Sequence, residues 1–188
     1  MRAKGIQLLW VVVFVAFVGT AKAQGQAPPP NPNTHMGQRA SQHVTLEVVS
    51  GFAGGCGPLY TSRSHEFVRN LPDGTAASGR FRVPSGKVLV ITDVDWQYVH
   101  PDGAAGAGAA VTVRLFIENL ANDFFSRRAF ESTVTLSSLG EGGTSEAMTS
   151  GFIVSPAARI CPDVIGAPAG PPSGLQHLLL RGYLAPDF

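Results

Sequence analysis

The chain has 188 residues, 44% of them hydrophobic, and its 14 basic and 13 acidic side chains give a formal net charge of +1. A nearly neutral chain has no electrostatic attraction for nucleic acid or for anionic membrane surfaces, so neither is an expected partner. The length suits one domain with a hydrophobic core.

The first 23 residues have the layout of a cleavable secretory signal. The basic residues Arg2 and Lys4 precede an unbroken apolar run over residues 6–18, and the small residues Ala21 and Ala23 mark a cleavage site. The run is shorter than the roughly 18–20 residues that span a bilayer, so we expect no stable membrane insertion after cleavage. The expected location is therefore secreted or periplasmic.

The segment over residues 24–42 is rich in Pro and has almost no large apolar side chains. Such a segment buries too little apolar surface to offset the entropy lost on ordering, so we expect a disordered leader. The rest of the chain, residues 43–188, is expected to form a single β domain.

Alternation of apolar and polar residues begins at residue 43 and predicts a series of strands. Over residues 43–49 it places Val44, Leu46 and Val48 on one face. The longest predicted strand covers residues 87–99, and its expected core face contains Val88, Val90, Val94, Trp96 and Tyr98. The strand over residues 110–120 is expected to point Val111, Val113, Leu115 and Ile117 inward and Thr112, Arg114 and Glu118 outward.

Weaker patterns predict further strands over residues 60–68, 80–83, 124–136, 148–154 and 175–184. Gly-rich or Pro-rich loops are expected over residues 102–109, 137–147 and 162–174. About eight or nine short strands with such loops are typical of an antiparallel β-sandwich. We therefore predict an all-β, jelly-roll-like sandwich in one domain.

The two cysteines, Cys56 and Cys161, each lie beside turn-forming residues and outside the signal. In an oxidising compartment an even number of cysteines favours a disulfide. A Cys56–Cys161 bond would close a long loop and stabilise the fold by up to about 4–5 kcal/mol. The alternative is two separate buried thiols.

Three acidic residues offer a weak metal site. Asp93 and Asp95 are two positions apart on a predicted strand, so their carboxylates share a face, and Asp102 follows on the next loop. Oxygen ligands so arranged could hold Ca²⁺, but an ordinary solvent-facing strand end has the same pattern. We expect no cofactor and no metal.

Trp96 and Tyr98 share a strand face, and aromatic rings in a row can stack on sugar rings. This pattern would suit a carbohydrate-binding module. The alternative is that both rings continue the core face of their strand, which the pattern favours. Similarly, His100 with Asp102 could form a pH-sensitive pair or an ordinary surface turn.

The sequence contains no G-x-S-x-G motif and no recurring metal-ligand spacing. It therefore favours a non-catalytic binding or structural module that contacts itself or a surface polysaccharide. The alternatives are a carbohydrate-binding module using Trp96 and Tyr98, and a small extracytoplasmic hydrolase using Asp93, Asp95 or Glu118.

Overall fold

The computed structural model describes residues 40–49, 66–121, 126–166 and 174–187. The expected signal, most of the leader, Cys56 and the start of the strand predicted over residues 60–68 lie outside these ranges. No helix in the described ranges is long and apolar enough to cross a membrane.

The described residues form eight strands and two short 3-10 helices, Ala40–Gln42 and Gly103–Gly106. The strands are β1 (His43–Val49), β2 (Glu66–Asn70), β3 (Lys87–Val99), β4 (Ala110–Asn119), β5 (Ser126–Thr135), β6 (Glu141–Val154), β7 (Ala158–Ile165) and β8 (Leu175–Pro186). All strand pairs are antiparallel.

The strands form two sheets, one in the order β2-β1-β8-β3-β6 and one in the order β5-β4-β7. The buried apolar side chains of the two sheets form one core between them. The molecule is therefore the predicted all-β, antiparallel sandwich. Consecutive strands repeatedly change sheet, as in a jelly roll, and β2 pairs with β1 at the edge of the larger sheet.

The two sheets contact each other along both sides of the sandwich, where β5 meets β6 and β2 meets β7. On the first side Ser132 of β5 donates a hydrogen bond to the Glu146 carboxylate of β6. On the second side Arg159 of β7 lies 3.9 Å from the Glu66 carboxylate of β2. Polar groups therefore close both edges of an otherwise apolar core.

A β-bulge in β3 changes the core face that the sequence pattern predicted. The register with β8 shifts between Ile91 and Asp93, which leaves Thr92 as the extra residue. One extra residue exchanges the two faces of a strand. Before the bulge, Leu89 and Ile91 are in the core; after it, Val94, Trp96 and Tyr98 are. The prediction that Val88 and Val90 belong to the core face was therefore wrong.

The strand prediction also missed the first half of β6, because residues 137–147 have a loop-like composition. In the structure a turn ends at Gly140 and the strand begins at Glu141. A Cβ atom on Gly143 would lie 2.4 Å from the Trp96 carbonyl oxygen. Gly143 is therefore needed because β6 passes close to the backbone of β3.

Two further predictions at the strand level were wrong. Residues 80–83 are irregular, and residues 158–165 form β7 although Pro162 suggested a loop there. Within the three-stranded sheet, β7 is an edge strand that pairs with β4 alone. An edge strand tolerates proline because one side of its backbone needs no ladder hydrogen bond.

Candidate functional site

The outer face of the five-stranded sheet carries a cluster of three side chains that we call the Asp95 cluster: Asp95, His177 and Arg181. Asp95 lies on β3 directly opposite Leu179 of β8. His177 and Arg181 are two residues to either side of Leu179, so they are the diagonal neighbours of Asp95 on the same face. The strand register alone brings the three groups together.

The Asp95 carboxylate uses both of its oxygens in this cluster. Oδ1 lies 3.2 Å from His177 Nε2, and Oδ2 accepts a hydrogen bond of 3.1 Å from Arg181 Nη2. All three side chains are partly exposed, with Arg181 the most accessible at 45%. The cluster therefore faces solvent and is held in place by its own contacts.

Partial burial, the largest single influence, raises the pKa of Asp95, but the hydrogen bonds and charges of His177 and Arg181 together outweigh it. The net effect is a pKa below the ordinary value for aspartate. Asp95 is thus a carboxylate at neutral pH and serves as a hydrogen-bond acceptor. A general acid would require the opposite shift.

A shallow groove beside the cluster is bordered by Asp95, Gln97, His177, Ser137, Glu141 and Gly143. In the described part of the chain the His177 ring has a single hydrogen-bond contact, with Asp95. Nucleophilic catalysis by a serine or threonine would require a hydroxyl within hydrogen-bond distance of that ring. Among the described residues no serine or threonine hydroxyl lies within hydrogen-bond distance of that ring.

The apolar part of the same face lies next to the cluster. Val90 of β3 is opposite Tyr183 of β8 on one side and Ile153 of β6 on the other. Ile153 is 60% exposed. The outer face of the larger sheet thus carries the exposed side chain of Ile153, beside the buried Val90, in addition to its hydrogen-bonding groups.

The three aspartates considered for a metal site do not form one cluster. Asp93 accepts a hydrogen bond of 2.6 Å from Thr92, and Asp95 is occupied by His177 and Arg181. Asp102 lies beyond the end of β3, next to a 3-10 helix. Within the described ranges no group of three or more His, Cys, Asp or Glu side chains could hold a metal ion.

His100 contacts the backbone of Asp102 and not its carboxylate. The buried His100 ring accepts a 3.0 Å hydrogen bond at Nδ1 from the Asp102 backbone N–H. A Cβ atom on Gly106 would lie 2.3 Å from this ring, so the glycine lets the loop close over it. His100 therefore organises the loop after β3.

The rings of Trp96 and Tyr98 are 1% and 0% exposed and belong to the core. A sugar ring could reach neither of them without separating the two sheets. Among the described residues the Trp96 Nε1 and Tyr98 hydroxyl atoms have no hydrogen-bond partner. Burial raises the pKa of Tyr98. Both side chains fill the centre of the sandwich.

Glu118 points outward from β4, as the strand pattern predicted, but it is fully buried on that face. It accepts a 2.6 Å hydrogen bond from Arg159 Nε, the residue opposite it on β7. Strand alternation places Glu118 on the side of the smaller sheet that faces away from the core, since Leu115 faces inward. Asp95 and Glu118 therefore lie on opposite outer sides of the sandwich.

Cys161, on β7, is buried beside Glu118. Cys56 lies outside the described residues, so the Cys56–Cys161 disulfide stays a prediction.

No family model, curated protein or solved structure matches this chain.

Proposed function

We propose that this chain is an exported, non-catalytic binding module, and that its ligand contacts the outer face of the five-stranded sheet. The observation that carries this proposal is the Asp95 cluster, whose three polar side chains are held in fixed positions on a solvent-facing sheet. A surface whose side chains are already ordered loses less entropy on binding.

The chemistry of the cluster favours a ligand rich in hydroxyl groups, such as a surface polysaccharide. A carboxylate, an imidazole, a guanidinium and the nearby Gln97 amide together supply both donors and acceptors. Arg181 has five N–H donors and is 45% exposed, so it can bind Asp95 and a ligand at once. Tyr183, further along the same face of β8, could stack on a sugar ring.

The hydrolase alternative has less support. A glycosidase needs two carboxyl groups within roughly 5–10 Å of each other on either side of the scissile bond. Asp95 and Glu118 lie on opposite sides of the sandwich, and the Glu118 carboxylate is buried against Arg159. Asp93 is near Asp95, but it accepts a hydrogen bond from Thr92 and lies on the same open sheet face.

The binding proposal is tested by titrating dextran, laminarin and alginate into the purified protein by calorimetry. We expect at least one of these polysaccharides to bind, and Arg181→Gln or Asp95→Asn to weaken that affinity about tenfold or more, as for loss of a charge-assisted hydrogen bond. Glu131→Gln is the matched control, because Glu131 forms a partly exposed ion pair with Arg114 on the smaller sheet. Absence of binding, or equal affinity in all variants, would contradict the proposal.

A further inference from the structure

Strand β6 is the last strand of the five-stranded sheet, so among the described strands one side of its backbone has no neighbour. The smaller sheet does not fill that side. Val134 and Leu136 lie under Gly142, where a Cβ atom would be 2.9 Å from either side chain. They therefore cover the core face of β6 and leave its edge open.

The hydrogen bonds at the start of β6 show which residues point toward the open edge. The His100 N–H donates to the Gly140 carbonyl at 2.8 Å, so the even-numbered residues over 142–146 bond to β3. The odd-numbered residues Gly143, Ser145 and Ala147 therefore direct their N–H and C=O groups away from β3. All three residues are exposed, and within the described ranges these backbone groups have no hydrogen-bond partner.

The other sheet edges in the described ranges have features that hinder pairing with another chain. β2 has five residues, β7 contains Pro162, and β5 carries Arg127, Arg128 and Glu131. Short length, proline and charged side chains are the usual protections of an edge strand. β6 has 14 residues with neither proline nor a basic side chain, so its edge is the most accessible of the four.

The regular part of this edge is complementary to a second copy of itself. An antiparallel pair centred on Ser145 places Ser145 opposite its own equivalent, and Gly143 opposite Ala147 of the second copy. Glu146 then lies opposite Thr144 of that copy, so no two charges of the same sign face each other. Every outward N–H and C=O group of Gly143, Ser145 and Ala147 gains a partner.

We propose that two copies of this chain pair through β6, antiparallel about Ser145, and present their two Asp95 clusters on one continuous sheet face. Opposite residues of an antiparallel pair point to the same face, so the outer faces of both copies lie on the same side. Asp95 is opposite Ser145 across β3 and β6. Three strand spacings, or roughly 14 Å, therefore separate the two Asp95 residues.

At this separation a single linear polysaccharide can contact both clusters. The second contact is then intramolecular, which raises the apparent affinity without any new kind of contact. The joint use of the two clusters rests on the binding function proposed above. The pairing of β6 does not depend on it.

Sedimentation velocity of the full chain, without any polysaccharide, tests the pairing. We expect wild type to form a dimer, and Ser145→Pro to raise the dimer dissociation constant about tenfold or more, because proline removes the central N–H donor. The Ser145 N–H does not bond to β3, and edge strands accept proline at such positions.

Thr135→Pro is the matched control on the edge of β5. The Leu136 N–H bonds to the Ala109 carbonyl, so the N–H of the preceding Thr135 points away from β4. This variant should dimerise as wild type does. A wild type that stays monomeric over the whole concentration series, or an equal loss in the two variants, would overturn the proposal.

A lysine pair of variants replaces the proline pair if Ser145→Pro does not fold. Ser145→Lys places two like charges opposite each other at the centre of the contact, which weakens the dimer. Thr135→Lys adds the same charge at an exposed position of β5 and should leave the dimer unchanged.

Calorimetry with the best-bound polysaccharide and with its disaccharide tests the joint use of the clusters. We expect Ser145→Pro to lose about tenfold or more in affinity for the polymer and nothing for the disaccharide, which is too short to reach both clusters. Equal polymer affinity in dimeric wild type and monomeric variant would overturn this part. If Arg181→Gln binds the polymer as wild type does, the binding function itself fails, while the sedimentation result still decides the dimer.

Discussion

Asp95 and Glu118 are both paired with guanidinium groups, but at very different depths. Asp95 is partly exposed between His177 and Arg181, whereas Glu118 is fully buried against Arg159. A buried carboxylate is tolerated only when hydrogen bonds and an opposite charge replace its hydration. The strand pattern that placed Glu118 away from the core was correct about its face, but a pattern cannot show what covers that face.

The lowered pKa of Asp95 makes the stability of the protein depend on pH. Its pKa is lowered in the folded protein, so its contribution is fully present above the unfolded value of about 3.9 and is lost as the pH falls through the folded value. We therefore expect wild type to be more stable than Asp95→Asn at pH 7, and the difference to shrink below about pH 4.

Urea unfolding of wild type and Asp95→Asn at several pH values measures this difference. Asp102→Asn is the control, because in the described part of the chain Asp102 forms no ion pair. A stability difference that does not shrink below about pH 4 would contradict the proposed contacts of Asp95.

At the scale of single elements, the bulge at Thr92 determines which side chains of β3 fill the core. Ile91 is fully buried, whereas Val88, three residues earlier, lies on the outer face. We expect Ile91→Ala to cost roughly 2–5 kcal/mol and Val88→Ala less than about 1 kcal/mol. Leu115→Ala on β4 should resemble Ile91→Ala, since Leu115 is also fully buried.

Thermal or urea unfolding of the three variants gives these free energies. A larger loss for Val88→Ala than for Ile91→Ala would mean that β3 has no bulge. Val88 would then face the core, as simple alternation predicted.

The sequence pattern predicted the strands that alternate most clearly, including β1, β3 and β4, because period-2 alternation reports one buried face. It could not predict the bulge, since the run over residues 88–91, before Thr92, is apolar on both faces and either face could point to the core. Gly142 and Gly143 in β6 and Pro162 in β7 are loop-forming residues by composition. These residues lie in strands because of how they fit the neighbouring backbone, and a pattern of alternating residues carries no information about that fit.

The candidate site was predictable only in part, for a similar reason. Asp95 stood out from its spacing, but His177 and Arg181 are more than 80 positions away in the chain and meet it through the register of β3 with β8. Pairing register is a property of the whole sheet. Trp96 and Tyr98 were candidates for a ligand site and for the core, and the structure places them in the core.

At the scale of the whole molecule, the sandwich separates three groups of charged side chains. The Asp95 cluster faces outward from the larger sheet, Arg114 and Glu131 face outward from the smaller one, and Glu66 closes one side. Each group can therefore be changed without disturbing the others, because distant sites contribute nearly additively. Glu131→Gln is therefore a suitable control for the binding proposal, because Glu131 lies on the sheet opposite the Asp95 cluster.

The central claim, that the outer face of the five-stranded sheet is the binding surface, is tested most directly by NMR. Amide chemical shifts would be followed while the best-bound polysaccharide is added. We predict that the shifts change along β3 and β8 around Asp95, His177 and Arg181, and stay constant on β4, β5 and β7. Changes confined to the three-stranded sheet, or none at saturating polysaccharide, would contradict the claim.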